Sequence, residues 1–534
     1  MVQITSLQER ETRQRITGAA VIVMGSVLCS AVLGLVREIV LAGYGGIGSS
    51  VDAYVNAFAI PEVINHILAG SFLTITFIPI FTGYLVAGDK DSCNRIFSNI
   101  FFVATSVLTV VIAFCMVFTA PLIKLTNPGI SDPVRFSLTV DLVRIILPAQ
   151  IFIFWGSLFK SVQYANKKFL LPSLSPVLYN GGIICGGIFL APHIGIKGFC
   201  WGVLAGAFAG NVLIQLPGAF KTGLLIRPVF NLKDKDLRKY IYLTIPLVLG
   251  IGMTFSNEFL LRFFGSYLGT GGSASLNYSM RATMFIVNLF GSALGVASFP
   301  FLADLAAKKD YLQMNRIING IISRIFVAII PVSLILAMLS KEYISVLYEH
   351  GKFTPEATLR TAPVLVFYLL GSFAFCSQII IIRSYYACQR TWFAAIFSTI
   401  AVLLSLPFYF LASRTMGARG IALVSSCSVI LQFIILFTLW SRQTHNPGIS
   451  HLFIIFLKVI FMGMAASGSV IIAKYLLIRD SVFQGFLPDI GLLIISGGSG
   501  LIVYSLLGIL LKVNELKELF KSMISKAGIL RYKG

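Results

Sequence analysis

Apolar residues in this chain do not alternate with polar ones; they run on. About fourteen predominantly apolar stretches lie near 16–41, 53–86, 97–123, 137–160, 170–191, 196–220, 238–264, 273–305, 315–339, 361–385, 391–412, 417–440, 452–478 and 489–511. An α-helix needs about 20 such residues to cross a bilayer. In hydrocarbon, only structures that satisfy their own backbone N–H and C=O groups persist. The pattern predicts an all-α polytopic membrane protein with about 14 transmembrane helices. The second and eighth stretches exceed one straight span, which predicts kinks at Pro61 or Pro79 and at Pro300. The first reads as a retained helix, because no small-residue cleavage pattern follows it.

The polar punctuation repeats. FIPIF around Pro79 is followed by Asn94-Arg95-Ile96, and SFPFL around Pro300 by Asn315-Arg316-Ile317, both at an offset of 221. Tyr164-Ala165 and Tyr386-Ala387, like Gly195-Ile-Lys-Gly198 and Gly417-Ala-Arg-Gly420, lie 222 apart. A unit of six helices returns the chain to the same side, so the copies form a parallel repeat. This predicts two six-helix lobes, 1–230 and 231–445, then two further helices at 446–512. A cytoplasmic amphipathic tail at 513–534 follows, with Val513, Leu516, Leu519, Phe520, Met523 and Ile524 at helical spacing. Duplicated bundles of this kind bind substrate between lobes and alternate access; channels and scaffolds are the other readings.

Composition sharpens the class. Of 534 residues, 57% are hydrophobic and 12% charged, about half the share usual in soluble domains. The net charge of +21 does not point to nucleic acid. The lysines and arginines cluster in alternate loops and in the polar ends. By loop charge both termini are cytoplasmic, which an even span count allows. The eight cysteines show no metal or disulfide spacing. Neither a Walker loop, an HExxH nor a GxSxG is present, so no cofactor and no enzymatic step is expected.

Charges inside the apolar stretches carry the chemistry. One charge at the centre of a membrane helix costs about 2.5–3.5 kcal/mol, and such residues face a bundle interior or a water-filled cavity. Arg37 with Glu38 ends the first stretch, as a snorkelling local pair or as a cavity lining. Arg281 lies well inside the eighth and is read as a cavity residue. Arg262 and Glu258 are four apart, and Arg144 and Asp141 three apart; each set suits either a pair on one helix face or a ligand role. Asp52 opens the second stretch, where capping is the favoured role and ion coupling is not excluded. The triplets Asp89–Asp91 and Asp234–Asp236 admit a metal–nucleotide reading of the glycan-transfer type, which is disfavoured because both sit in lysine-bearing loops.

Segment 30–72, with LGLVRE, VDAY, IPEVINHILAGSF and then TFIP, resembles the MviN/MurJ family of lipid II flippases of the wider MOP superfamily, as do YSMRATMF…LGVASFPFL near 278–302 and LYEHGKFTPEA at 347–357. The resemblance implies translocation of an undecaprenyl-pyrophosphate-linked peptidoglycan precursor across the bacterial inner membrane. It implies a cationic cavity to which Arg37 and Arg281 contribute, with Glu38 and Asp52 at matching acidic positions. Arg144, Arg262 and Arg383 are further cationic candidates, and Glu258 joins the coupling candidates. Membrane potential, proton or sodium would drive the cycle, and membrane lipids and cell-wall synthesis proteins would be the neighbours. The lipid tail would lie along spans 13–14. Ala31, Asn65, His66 and Met280 stand where the family has charged residues. Either other arginines compensate, or the cargo is another lipid-linked glycan.

Overall fold

The computed structural model describes residues 25–66, 72–251, 256–289, 293–479 and 486–518. All of its elements are helical. The helices are α1 (Gly25–Gly45), α2 (Ser49–Ala57), α3 (Ala59–Ile64), α4 (Phe72–Val86), α5 (Lys90–Val117), α6 (Thr119–Thr126), α7 (Pro133–Ile146), α8 (Ala149–Ala165), α9 (Leu170–Cys185), α10 (Ala191–Ile194), α11 (Lys197–Phe208) and α12 (Gln215–Phe220). After them come α13 (Lys235–Ile251), α14 (Ser256–Gly265), α15 (Gly272–Val287), α16 (Ala293–Ala307), α17 (Tyr311–Met338), α18 (Ser340–Tyr348), α19 (Pro355–Ala387), α20 (Thr391–Thr415), α21 (Ala418–Gln443), α22 (Ile449–Arg479) and α23 (Phe486–Leu510). Packing divides the chain into one compact unit up to Ala274 and another from Ser275.

Among the described residues, eleven helical stretches are long and apolar enough to cross a membrane. The expected second, seventh and eighth spans fall instead on α2 to α4, α13 with α14, and α15 with α16, with undescribed residues between. The count of fourteen therefore does not follow from the described helices. The expected first span, 16–41, is described only from Gly25. Arg10, Arg13 and Arg15 lie outside the described residues, as does the tail beyond 518.

Of the two prolines expected to kink the second stretch, Pro61 marks the break. It has no N–H for the Ala57 carbonyl; α2 stops at Ala57, and α3 begins two residues later. By contrast α4 runs through Pro79 and α16 through Pro300.

The backbone carries the repeat more clearly than the sequence does. Helices α5 and α17 are both 28 residues long and both start at an aspartate, Asp89 or Asp310, whose carboxylate accepts the amide three residues on. Left-handed residues recur in pairs: Gly88 and Lys309, Lys167 and Gln389, Gly195 and Gly417, Gly223 and His445. The offsets are 221 once and 222 three times. The polar start of each long helix also grips the connector that closes its half. Asn94, Ser98 and Asn99 accept the backbone amides of Leu225, Arg227 and Asn231. At the matching site, Asn315 accepts from Trp440 and Thr444 while Asn319 exchanges bonds with Asn446.

In the first unit α9 and α11 meet through glycines. A Cβ on Gly182, Gly202 or Gly206 would sit 2.4–2.6 Å from backbone of the facing helix, and one on Gly186, just past α9, would be equally close to Gly198. Small residues permit this approach where lipid supplies no hydrophobic drive between helices. An aromatic stack of Phe97, Phe101, Trp155 and Phe159 fills the space between α5 and α8. In the second unit α17 packs on α19 and α22, and α22 on α23. Their core runs from Val287 to Leu516. Val513 and Leu516, two of the residues expected on the tail's apolar face, are buried there.

Candidate functional site

The first unit holds most of the intramembrane charges, and it arranges them as partnered sets. Arg37, on α1, donates Nε and Nη2 to Glu38 Oε1 at 3.2 and 2.6 Å, and Nη1 to Asn180 Oδ1 at 3.2 Å. Asn180 lies on α9 and donates to the Ser30 hydroxyl. The Glu38 side chain is 3% exposed and that of Arg37 18%. Three of the five guanidinium N–H groups are used, which leaves two without a hydrogen bond. The local pair is thus real, but a helix 143 residues away holds it in place, so the arginine is oriented rather than snorkelling loosely.

Arg262 departs from its expected neighbour. Its fork closes on Glu62 of α3, Nη2 to Oε1 at 2.6 Å and Nη1 to Oε2. A planar guanidinium matched edge-on to a carboxylate is the strongest charge-assisted geometry available. Glu258, one turn earlier on α14, is half-buried, but the fork turns to Glu62. Glu62 was not among the expected residues; its signal was an acid inside IPEVIN.

Asp52 caps a helix, but not its own. Gly48 is the residue before α2, and no side chain caps that end. The Asp52 carboxylate instead accepts the amides of Gly271 (2.7 Å) and Ala274 (2.8 Å), where α15 begins. Arg135 of α7 lies 3.7 Å from it. Asp52 is wholly buried, and the helix N-terminus and the arginine together compensate its charge. Arg135 is a second residue the sequence reading missed.

Of the two readings open for Asp141 and Arg144, the local pair is not formed. Asp141 bonds Lys197 at 2.8 Å, while Arg144 is exposed and donates to the Met116 carbonyl at the end of α5. Lys160, on α8, donates to Asn211 Oδ1 at 3.1 Å, an oxygen that also accepts from Ser175.

Both Asp-Lys-Asp triplets are taken up by the architecture. Asp89 caps α5, and the Ser92 amide holds its carboxyl below the usual range. Asp91 faces Arg227 at 3.4 Å. Asp234 accepts the first amides of α13 and meets Arg95 at 3.2 Å; Asp236 faces Arg95 and accepts the Tyr84 hydroxyl. Among the described residues no group of acidic, histidine or cysteine side chains has metal-ligand geometry.

In the second unit Arg281 is half-buried on α15. The two motifs that flank it in the sequence reading meet in space. Tyr278 packs on Tyr348 and Phe353 with ring centroids 5.0 and 5.6 Å apart, and the Tyr348 hydroxyl donates to the Tyr278 carbonyl. Ser279 donates to the Thr361 carbonyl. These contacts fix the α15 face that bears Tyr278, Ser279 and Ala282, and Arg281 projects from its flank. Arg383, on α19, is half-buried and has no hydrogen-bonding or ionic partner among the described residues.

Comparison with known proteins places this arrangement. A probable lipid II flippase MurJ of Thermotoga maritima is 29% identical over 496 residues, 92% of this chain and 96% of that protein. A probable lipid II flippase MurJ of Vibrio cholerae is 27% identical over 450 residues, 82% and 85% of the two chains. The fold matches a solved lipid II flippase MurJ in an inward closed conformation, with a TM-score of 0.77 at 22% identity, covering 92% of this chain and 99% of that one. The sequence profile described as lipid II flippase MurJ matches residues 41–492, from the end of α1 into α23, and on that match the chain belongs to the MurJ family.

Proposed function

We propose that this protein is a lipid II flippase, moving the undecaprenyl-pyrophosphate-linked precursor from the cytoplasmic to the outer leaflet of the bacterial inner membrane by alternating access. Family membership over most of the chain supports the reading, and the state of Arg37 carries it. Arg37 is a guanidinium inside a span, oriented by Glu38 and Asn180, with two N–H donors left over. Such a fork suits the oxygens of a pyrophosphate. Arg281 is the proposed second contact. The work is transport, and no bond in the cargo is made or broken.

Driving such a cycle takes a bias between two conformations. Membrane potential, a proton gradient or a sodium gradient would supply it, with Glu38, Asp52 and Glu258 as the coupling candidates. Both termini are placed in the cytoplasm, by the loop charges. The cationic candidates are unequal. Arg262 is neutralised by Glu62, and Arg144 is exposed; of the three, Arg383 alone retains its full donor capacity for a cargo phosphate.

The test is complementation of a conditional lipid II flippase mutant by wild type, Arg37→Ala and Arg281→Ala at matched membrane levels. Rescue by wild type alone is expected. Rescue by all three retains the cargo but removes the assigned grip. A second reading, a flippase for another lipid-linked glycan such as an exopolysaccharide or O-antigen unit, draws on Ala31, Asn65 and His66, where the family carries arginines. Failure of well-expressed wild type to rescue would favour it.

A further inference from the structure

The second unit contains a polar junction that the flippase reading does not use. Helix α18 follows directly on α17, and its Glu342 is 4% exposed. Oε1 of Glu342 bonds Lys474 of α22 at 2.7 Å, and Lys474 also donates to the Met338 carbonyl at 3.4 Å. Oε2 is buried with no partner. One turn along α18, the Ser345 hydroxyl donates to Asp489 Oδ2 of α23 at 2.5 Å. Asp489 lies within electrostatic range of Glu342. Other charged groups facing the junction are Glu349, which accepts from Thr358 of α19 at 2.5 Å, and Lys341, which is exposed.

The charge does not balance. Glu342 is the deeply buried carboxylate and bonds the partly exposed Lys474 ammonium through Oε1 alone, the half-buried Asp489 adds a second negative charge nearby, and Glu342 Oε2 is buried without a donor. Buried charge is tolerated when paired, and a buried acceptor is costly when left empty. The missing element is one positive charge small enough to reach Oε2. The available donors are carboxylate and hydroxyl oxygens, which suit a hard cation and not a thiophilic metal. The deficit of a single charge favours a monovalent one.

We propose that Glu342, Ser345 and Asp489 form a binding site for a small monovalent cation, sodium or a proton, at the junction of α18, α22 and α23. The site is separate from Glu38, Asp52 and Glu258. Lys474 holds one side of it and limits its affinity, because the ammonium competes for the same carboxylate.

The test uses the full-length protein in lipid nanodiscs, with the thermal unfolding midpoint as readout. One series replaces choline chloride by sodium chloride at constant ionic strength and pH 7.5. Another lowers pH from 8.5 to 5.5 without sodium. The midpoint is expected to rise and saturate in one series, which identifies the cation. Glu342→Gln should weaken the apparent affinity at least tenfold, and Asp489→Asn should do the same; if one variant does not fold, the other decides. Lys474→Met should strengthen the response about threefold or more. A flat wild-type midpoint in both series, or an unchanged response in Glu342→Gln and Asp489→Asn, would overturn the proposal and leave Glu342 as an anchor for Lys474.

Discussion

Single residues in this protein are best understood by the partner each one found. Arg262 and Glu62 are 200 positions apart and form a two-pronged pair with side chains 9% and 23% exposed. Removing one member of such a pair leaves a charge that the surroundings cannot solvate, whereas removing both does not. Arg262→Met should lower stability by about 1–3 kcal/mol, and the double change Arg262→Met with Glu62→Met should recover most of the loss. Thermal unfolding of the purified variants checks this; equal losses in the single and double variants would mean that the pair is incidental. Local spacing could not have revealed it. Glu258 and Asp141 sit one helical turn from arginines, so sequence suggested neighbours, while the fold supplied Glu62 and Lys197.

At the scale of the element, the glycines of α9 and α11 decide whether two spans can touch. A side chain at Gly202 would meet the Gly182 carbonyl oxygen at 2.6 Å and the Ile183 Cα at 3.0 Å, both backbone. Rotamer changes cannot relieve that. Gly202→Leu should force the helices apart and cost several kcal/mol, seen as loss of monodisperse protein after extraction, while Gly181→Leu, with open space around its Cβ, should be tolerated. The caps at Asp89 and Asp310 act on a smaller scale. The Ser92 amide keeps the Asp89 carboxyl below its ordinary range, so this cap is complete above the usual carboxylate pKa and is lost only as pH falls through the lowered value.

For the whole molecule, the loop charges predict that residues near 167, 309, 390 and 512 face the cytoplasm and those near 124, 197, 341 and 352 the opposite side. Single cysteines at Lys309 and Lys352 in a cysteine-free background should label from opposite sides with an impermeant maleimide, the one at 309 from the cytoplasm; exchanged sides would reverse the assignment, and labelling of both from one side would overturn it. Class, repeat and most helices were legible because membrane burial imposes long apolar runs that need no partner to be recognised. The broken second, seventh and eighth spans were less so, since apolar composition does not record where a helix stops. Partner identities were least legible. Asp52 was seen as a cap, but its helix start lies at Gly271, more than 200 residues on. Which charge meets which is decided by topology, and topology is not written in spacing.

The recurring left-handed positions give the chain a second use, as its own comparison set. Each pair asks two different residues to meet one backbone demand. At Gly88 and Lys309, and again at Gly223 and His445, one copy needs no glycine, so those turns tolerate a side chain. At Gly195 and Gly417 both copies keep glycine, with φ of 70° and 60° and ψ of −156° and −133°, a region side chains rarely enter. The duplication thus sorts the turns into permissive and strict from one sequence, and an engineer relocating a tag or a fusion partner can take the permissive ones as points of entry.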